Sequence, residues 1–226
     1  MLNRITGKIQ RERYRNKNRK YFDIYEKYRE FTMMSAENYV LNLKLTERFT
    51  AVKGCVVECG VWRGGVSAGM ADILGGARKY YLFDSFEGLP PAQEIDGASA
   101  LEYQKNTDSP YYFYNCKAES DRAEKAMAKS EGKNAITVQG WLNETVPGYQ
   151  FDEPVAVLRL DGDWYESTMV CLEHLYPLVV KGGLIVIDDY YMWDGCARAL
   201  HEYLGKTGSA DRIHDAYSTE CYLIKS

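Results

Sequence analysis

Four carboxylates follow two apolar runs: Asp161 and Asp163 come after Val155–Leu160, and Asp188 and Asp189 after Leu184–Ile187. Both runs are aliphatic and β-branched without polar alternation, the pattern of strands buried on both faces. The acids then lie just past the carboxyl ends of two strands, the edge of an open α/β sheet where ligands bind. Neighbouring strands run ~4.8 Å apart, so Asp161 could face Asp188 and Asp189 across one ion. Oxygen-only ligands favour Mg²⁺, Mn²⁺ or Ca²⁺ over zinc. A single acid after a strand is as readily a helix cap or a turn residue. Four crowded at one edge raise one another's pKa and call for a shared cation or proton.

The surrounding pattern supplies the elements that hold these acids. Cys55–Cys59 reads as a first buried strand opening into Gly60-Val61-Trp62-Arg63-Gly64-Gly65, and Val66–Leu74 as the helix after it, stopped by Gly75-Gly76. Tyr80–Phe83 is a second strand ending at Asp84; Ala135–Gln139 is a third, closed by Gly140-Trp141. A polar helix over Asp121–Ser130 precedes that third strand, and a helix with Thr168, Cys171, Leu172 and Leu175 on one stripe separates the fourth strand from the fifth. Cys196–Leu204 is a last helix, and Arg212–Tyr217 with Glu220–Ile224 a closing antiparallel pair. The alternation predicts an α/β, Rossmann-like, doubly wound sheet of seven strands, mostly parallel with an antiparallel C-terminal edge. The first strand then borders the fourth at the switch point. Helical periodicity from Tyr21 to Phe49 adds an N-terminal helical cap over about 21–50, with Ser35 placed to start a helix. Residues 90–118 lack a steady period and read as a loop insert rich in aromatic residues.

At 226 residues the chain suits one catalytic domain, 21–226, behind a basic N-terminal arm, 1–20. That arm holds eight Lys or Arg and one acid out of 28 basic and 32 acidic residues, so the rest carries 20 against 31. An acidic body argues against a nucleic-acid groove, while the arm suits an anionic partner, a membrane surface or the acidic body of a second subunit in a homodimer. The arm has few apolar anchors and is expected to be dispensable for folding. No apolar run approaches the ~20 residues of a membrane span, and no signal-peptide core is present. A cytoplasmic protein is expected. The six cysteines form no C-x-x-C pair and read as reduced core residues.

Gly60, Gly64 and Gly65 give a turn without side chains at a helix N-terminus, where a ligand can approach the backbone. Asp84 follows Gly64 by 20 residues at the next strand end, a spacing suited to an acid that accepts from ribose hydroxyls. A strict G-x-G-x-x-G is absent, and Glu58 with the acids of strands four and five would repel a pyrophosphate. A sulfonium-bearing nucleoside fits better than a dinucleotide. An NAD-dependent oxidoreductase on a similar sheet, or a nucleoside-binding homologue without turnover, are the alternatives.

Val57-Glu58-Cys59-Gly60-Val61-Trp62-Arg63-Gly64-Gly65, Phe83-Asp84-Ser85-Phe86-Glu87-Gly88-Leu89-Pro90, Gly140-Trp141, Leu160 to Thr168, and Ile187-Asp188-Asp189-Tyr190 resemble, in the same order, the macrocin O-methyltransferase family. That TylF/MycF-like group includes tailoring enzymes for antibiotic sugars. The likeness runs from about Thr32 to the last strand. It implies a class I S-adenosylmethionine-dependent O-methyltransferase using a divalent ion, usually Mg²⁺. Carried over, Asp161, Asp188 and Asp189 hold the ion, Asp163 is the general base and Asp161 shares in catalysis. Glu58, Gly60, Val61, Gly64 and Gly65 line the methionine moiety, Asp84, Ser85 and Phe86 lie at the ribose, and Gly140, Trp141 and Asp161 complete the cofactor site. Leu142 to Pro147 and Glu220 to Lys225 depart from the family's pattern, which puts acceptor identity in question more than chemistry.

The acceptor implied is a small molecule with a sugar hydroxyl, a glycoside or glycan. Metal binding would acidify that hydroxyl and Asp163 would take its proton. Tyr111, Tyr112, Phe113, Tyr114, Trp164 and Trp193 are candidates to stack on the acceptor or simply to pack. His174, His201 and His214 lie outside the acid cluster and are not expected to be catalytic.

Overall fold

The computed structural model describes residues 12–216 and 218–226. Tyr217 and the first eleven residues of the basic arm therefore lie outside the described residues. After a helical stretch over 12–17 come α1 (Arg19–Tyr28) and α2 (Ala36–Glu47), the second started by Ser35, whose Oγ accepts from the Asn38 amide at 3.2 Å. The alternating body follows: β1 (Cys55–Cys59), α3 (Gly65–Leu74), β2 (Lys79–Asp84), α4 (Ala98–Lys105), α5 (Ser120–Lys129) and β3 (Asn134–Gln139). After the short α6 (Leu142–Thr145) come β4 (Val155–Leu160), α7 (Tyr165–Leu175), β5 (Val179–Ile187), α8 (Asp194–Thr207), β6 (His214–Asp215) and β7 (Cys221–Ile224).

The seven strands form one sheet in the order β3-β2-β1-β4-β5-β7-β6. Parallel pairing holds from β3 to β5, and β7 runs antiparallel to both β5 and β6, so the antiparallel edge comprises two short strands. β1 borders β4, as a doubly wound reading requires. Every residue of β1 and β4 is buried, which explains why they are apolar but for Glu58 and Arg159. Strand alternation splits the core in two. Val56, Leu82, Val157 and Val186 pack with Tyr28, Tyr39, Leu43 and Met70 beneath α1, α2 and α3. Val57, Leu158 and Ile185 pack with Leu172 of α7 and Leu200 of α8 on the opposite face. The buried stripe of α7 is Thr168, Cys171, Leu172 and Leu175. Five of the six free cysteines are buried and Cys116 is half-buried.

Two regions differ from their sequence reading. The insert over 90–118 contains α4, and buried Asp96 ties it to the body: its Oδ1 accepts from the Tyr165 amide at 2.7 Å and caps α7. In the basic arm, Asn18 is 4% exposed and the Tyr14 ring meets Phe22 edge-on at 6.1 Å, so the stretch before Tyr21 packs against α1.

Candidate active site

Register alone places the central charges. Glu58 on β1 pairs with Arg159 on β4, and Arg159 pairs with Val186 on β5. Side chains two apart share a face, so Asp161 lies above Arg159 and Asp188 above Val186. Glu58, Arg159, Asp161 and Asp188 thus converge on the helix α3 face at the carboxyl ends of three adjacent strands. Arg159 is 1% exposed. Its Nη1 donates to Glu58 Oε1 and to Asp161 Oδ2, both at 2.8 Å, and its Nη2 donates to Asp188 Oδ1. Ser67 Oγ of α3 donates to the other Glu58 oxygen. Burial drives the Glu58 carboxyl up to about 7, although Arg159 and Ser67 pull against it.

A second group of acids lies beyond this clamp. Oxygens of Asp161, Asp163 and Asp189 fall within 4.8 Å of one another, a spacing that suits one ion. Asp189 Oδ2 is buried and has no hydrogen-bond partner. Asp163 takes positive φ, 57°, so the aspartate itself makes the bend after β4. Its Oδ1 accepts from Trp193 Nε1 at 3.0 Å. Burial and the neighbouring Asp161 push its carboxyl up to about 8. Asp163 makes no cap bond to α7, since Asp96 fills that role. The orphaned Asp189 oxygen and the oxygen-only set fit a hard divalent cation. Of the three residues expected to hold it, Asp161 and Asp189 have oxygens in that cluster, Asp161 while giving Oδ2 to Arg159, whereas Asp188 is outside it and gives Oδ1 to Arg159.

On the cofactor side, Gly60 has φ of 84°, and a Cβ there would lie 1.8 Å from the Asp161 carbonyl oxygen. Only glycine lets β1 and β4 come this close. Asp84 holds the turn after β1: its Oδ2 accepts from the Val61 and Trp62 amides at 2.8 Å, and its Oδ1 from Phe86 at 2.6 Å. Burial raises the Asp84 pKa, with these three amides opposing it. Ser85 is occupied by its own turn, accepting from Glu87 and donating to the Gly88 carbonyl, and Phe86 is buried. Gly140 donates to the Asp84 carbonyl at 3.0 Å, placing Trp141 on the wall of the cleft.

The acids line one cleft of about 690 Å³ with Gly60, Val61, Ser85 and Trp141, and Thr32, Met33, Phe113 and Met192 lie along it, whereas Gly64, Gly65, Phe86 and Gly140 are not among its lining residues. Met33, Phe113 and Met192 are 40%, 53% and 48% exposed. Trp164 is 2% exposed and donates to the Pro90 carbonyl, so it packs and does not stack on an acceptor. Trp193 packs edge-on against Trp164 with its indole N–H on Asp163. None of the three histidines lines the cleft.

Sequence reasoning missed Arg159, Asp96 and the Asn42–Glu220 pair. Asn42 Nδ2 of α2 donates to both oxygens of buried Glu220 at 2.7 and 2.8 Å, and Glu220 lines the cleft. A visible signal existed for Arg159 only: an arginine inside a strand read as wholly buried must face carboxylates.

A parallel sheet with a glycine turn after β1, an acid after β2 and acids after β4 and β5 defines a Rossmann-like methyltransferase fold. The solved O-methyltransferase NovP aligns with a TM-score of 0.72 and 27% identity over 87% of this chain and 82% of that one. A calicheamicin methyltransferase shares the fold at a TM-score of 0.65 and 21% identity, over 91% of each chain. The chain belongs to the macrocin O-methyltransferase (TylF) family, whose model matches residues 16–223. It is 36% identical over 173 residues to the 8-demethyl-8-(2,3-dimethoxy-alpha-L-rhamnosyl)-tetracenomycin-C 4'-O-methyltransferase of Streptomyces olivaceus, covering 74% of this chain and 64% of that protein. To the mycinamicin III 3''-O-methyltransferase of Micromonospora griseorubida it is 32% identical over 172 residues, covering 72% and 65%. The chain thus spans a little under two thirds of these relatives.

Proposed function

We propose that the chain is an S-adenosylmethionine-dependent O-methyltransferase that methylates a hydroxyl on the sugar of a glycoside or glycan, with a divalent ion, in the cytoplasm. The observation that carries this reading is the meeting of Asp161, Asp163 and Asp189 beside the Gly60–Gly65 turn, in a member of this family. A relative named as a 4'-O-methyltransferase of a rhamnosyl-bearing tetracenomycin supports the acceptor class. The glycine turn and the absence of any strict dinucleotide spacing speak against the oxidoreductase alternative.

When bound, S-adenosylmethionine supplies an electrophilic methyl on a sulfonium, and the divalent ion acidifies and orients the acceptor hydroxyl. Asp161 and Asp189, with the second oxygen of Asp188, would hold the ion. Asp163 receives the hydroxyl proton at a carboxylate oxygen. In the ion-free protein burial and Asp161 push its pKa up to about 8, and a bound ion would draw it back toward the ionised form that accepts a proton. The Trp193 indole fixes its orientation. Asp84 and the backbone of Gly60–Gly65 bind the nucleoside, and Met33, Phe113 and Met192 exclude water at the rim.

The test is methyl transfer from S-adenosylmethionine to a panel of glycosides, with Mg²⁺ and with excess chelator. A methylated sugar, lost on chelation and restored by Mg²⁺, is the expected result. Full turnover in chelator removes the ion, and methylation of simple phenols alone moves the acceptor out of the sugar class.

A further inference from the structure

Arg159 joins two halves of the cleft that the proposed reaction uses separately. One of its nitrogens, Nη1, is shared by Glu58 Oε1 on the cofactor side and Asp161 Oδ2 on the ion side, and Nη2 reaches Asp188. The three acids come from three adjacent strand ends, and the side chain between them is 1% exposed. Each of the three bonds takes one carboxylate oxygen. Of the remaining oxygens, that of Glu58 accepts from Ser67, at the start of the helix that follows the glycine turn. The guanidinium is planar and rigid, so a movement of one acid is passed to the other two. On the far side, Glu220 reinforces the same charge, held by Asn42 of α2.

We infer that Arg159 is a positioning residue that makes cofactor and divalent ion bind cooperatively. A shift that the ion imposes on Asp161 is passed through the shared Nη1 to Glu58, and a shift that the nucleoside imposes on Glu58 is passed back, so each ligand sets the acid the other meets. The inference rests on the proposed assignment of the two half-sites. By linkage the ion must tighten the nucleoside by the same factor as the nucleoside tightens the ion. A residue that only supported the fold would weaken both ligands and leave that factor intact.

The test is a pair of calorimetric titrations on the full chain: S-adenosylhomocysteine with and without saturating Mn²⁺, and Mn²⁺ with and without S-adenosylhomocysteine. The parent is expected to show a reciprocal factor of about 5 or more. Arg159→Lys keeps the charge but replaces the fork by a point donor, and its factor is expected to fall to near 1 while each ligand still binds alone. Arg159→Met should do the same where circular dichroism shows it folded; Arg159→Lys decides the matter where it does not. A folded Arg159→Lys protein with the parental factor overturns the inference, as does a parent whose two ligands bind independently. A parent that binds no Mn²⁺ at all, seen in the titration of Mn²⁺ alone, removes the ion assignment itself and this inference with it.

Discussion

Glu58, Asp161 and Asp188 surround a buried guanidinium, whereas Asp163 and Asp189 form no ion pair among the described residues. Both groups sit at the same sheet edge, yet burial leaves them in different states. The first is offset in part by a cation that the chain itself supplies, one arginine among three acids, and burial still raises Glu58 and Asp188. The second carries a carboxyl pushed up to about 8 and an oxygen without a partner, so its balance must come from a proton or a bound ion. The difference teaches that charge crowding alone does not mark a metal site. Asp163 and the free oxygen of Asp189, which the arginine does not reach, are left for a proton or an ion, and Asp161 belongs to both groups.

The comparison breaks most clearly at Asp163. Asp163→Asn keeps an acceptor for Trp193 and removes the base, so turnover should fall about 10²- to 10⁴-fold while S-adenosylhomocysteine affinity and melting temperature stay close to parental. Near-normal turnover at neutral pH would end the base assignment. The clamped group should respond in the opposite way. Glu58→Ala takes one carboxylate from a buried arginine and should cost on the order of 3 kcal/mol of stability in denaturant unfolding. An unchanged midpoint would mean that Asp161 and Asp188 alone satisfy Arg159.

Asp84 sharpens the contrast, because it anchors backbone amides and faces the cleft. Asp84→Ala should weaken S-adenosylhomocysteine by roughly 1.5 to 3 kcal/mol in calorimetry. Asp96→Ala, which uncaps α7 outside both groups, should cost about 1 kcal/mol of stability, read as a lowered melting temperature. The smallest effect belongs to Asp211, remote from the cleft. Burial works to raise it, but hydrogen bonds from Tyr176 and Ser226 outweigh that and hold it below the usual carboxylate range. Its contribution is therefore complete above the unfolded value of ~3.9 and is lost as pH falls through the lower folded value. Urea unfolding of Asp211→Asn against the parent should show a difference at neutral pH that shrinks in acid.

The sheet was legible because its signals are local. Largely apolar runs mark β1, β4 and the end of β5, a glycine turn marks the end of β1, and the acids after β4 and β5 mark the cleft. What was hidden depends on contacts across the chain. Asp96 caps a helix 69 residues away, and Asn42 meets Glu220 across 178. No periodicity records such pairs. The insert was read as a loop because α4 buries only Ala100, leaving no apolar stripe to notice. The arm before Tyr21 was read from its charge, which concealed the packing of Asn18 and Tyr14. A truncation beginning at Tyr21 is accordingly expected to lower the melting temperature, against the dispensability its composition suggested.

A guanidinium set among three strand ends also bears on how the protein is made. A site that relied wholly on a metal to offset its acids would leave the new chain waiting for that metal before its central strands could close. Here the arginine arrives with β4 itself, between Glu58 already synthesised and Asp188 still to come. The sheet can therefore close around charge of its own, without waiting for any ion to arrive.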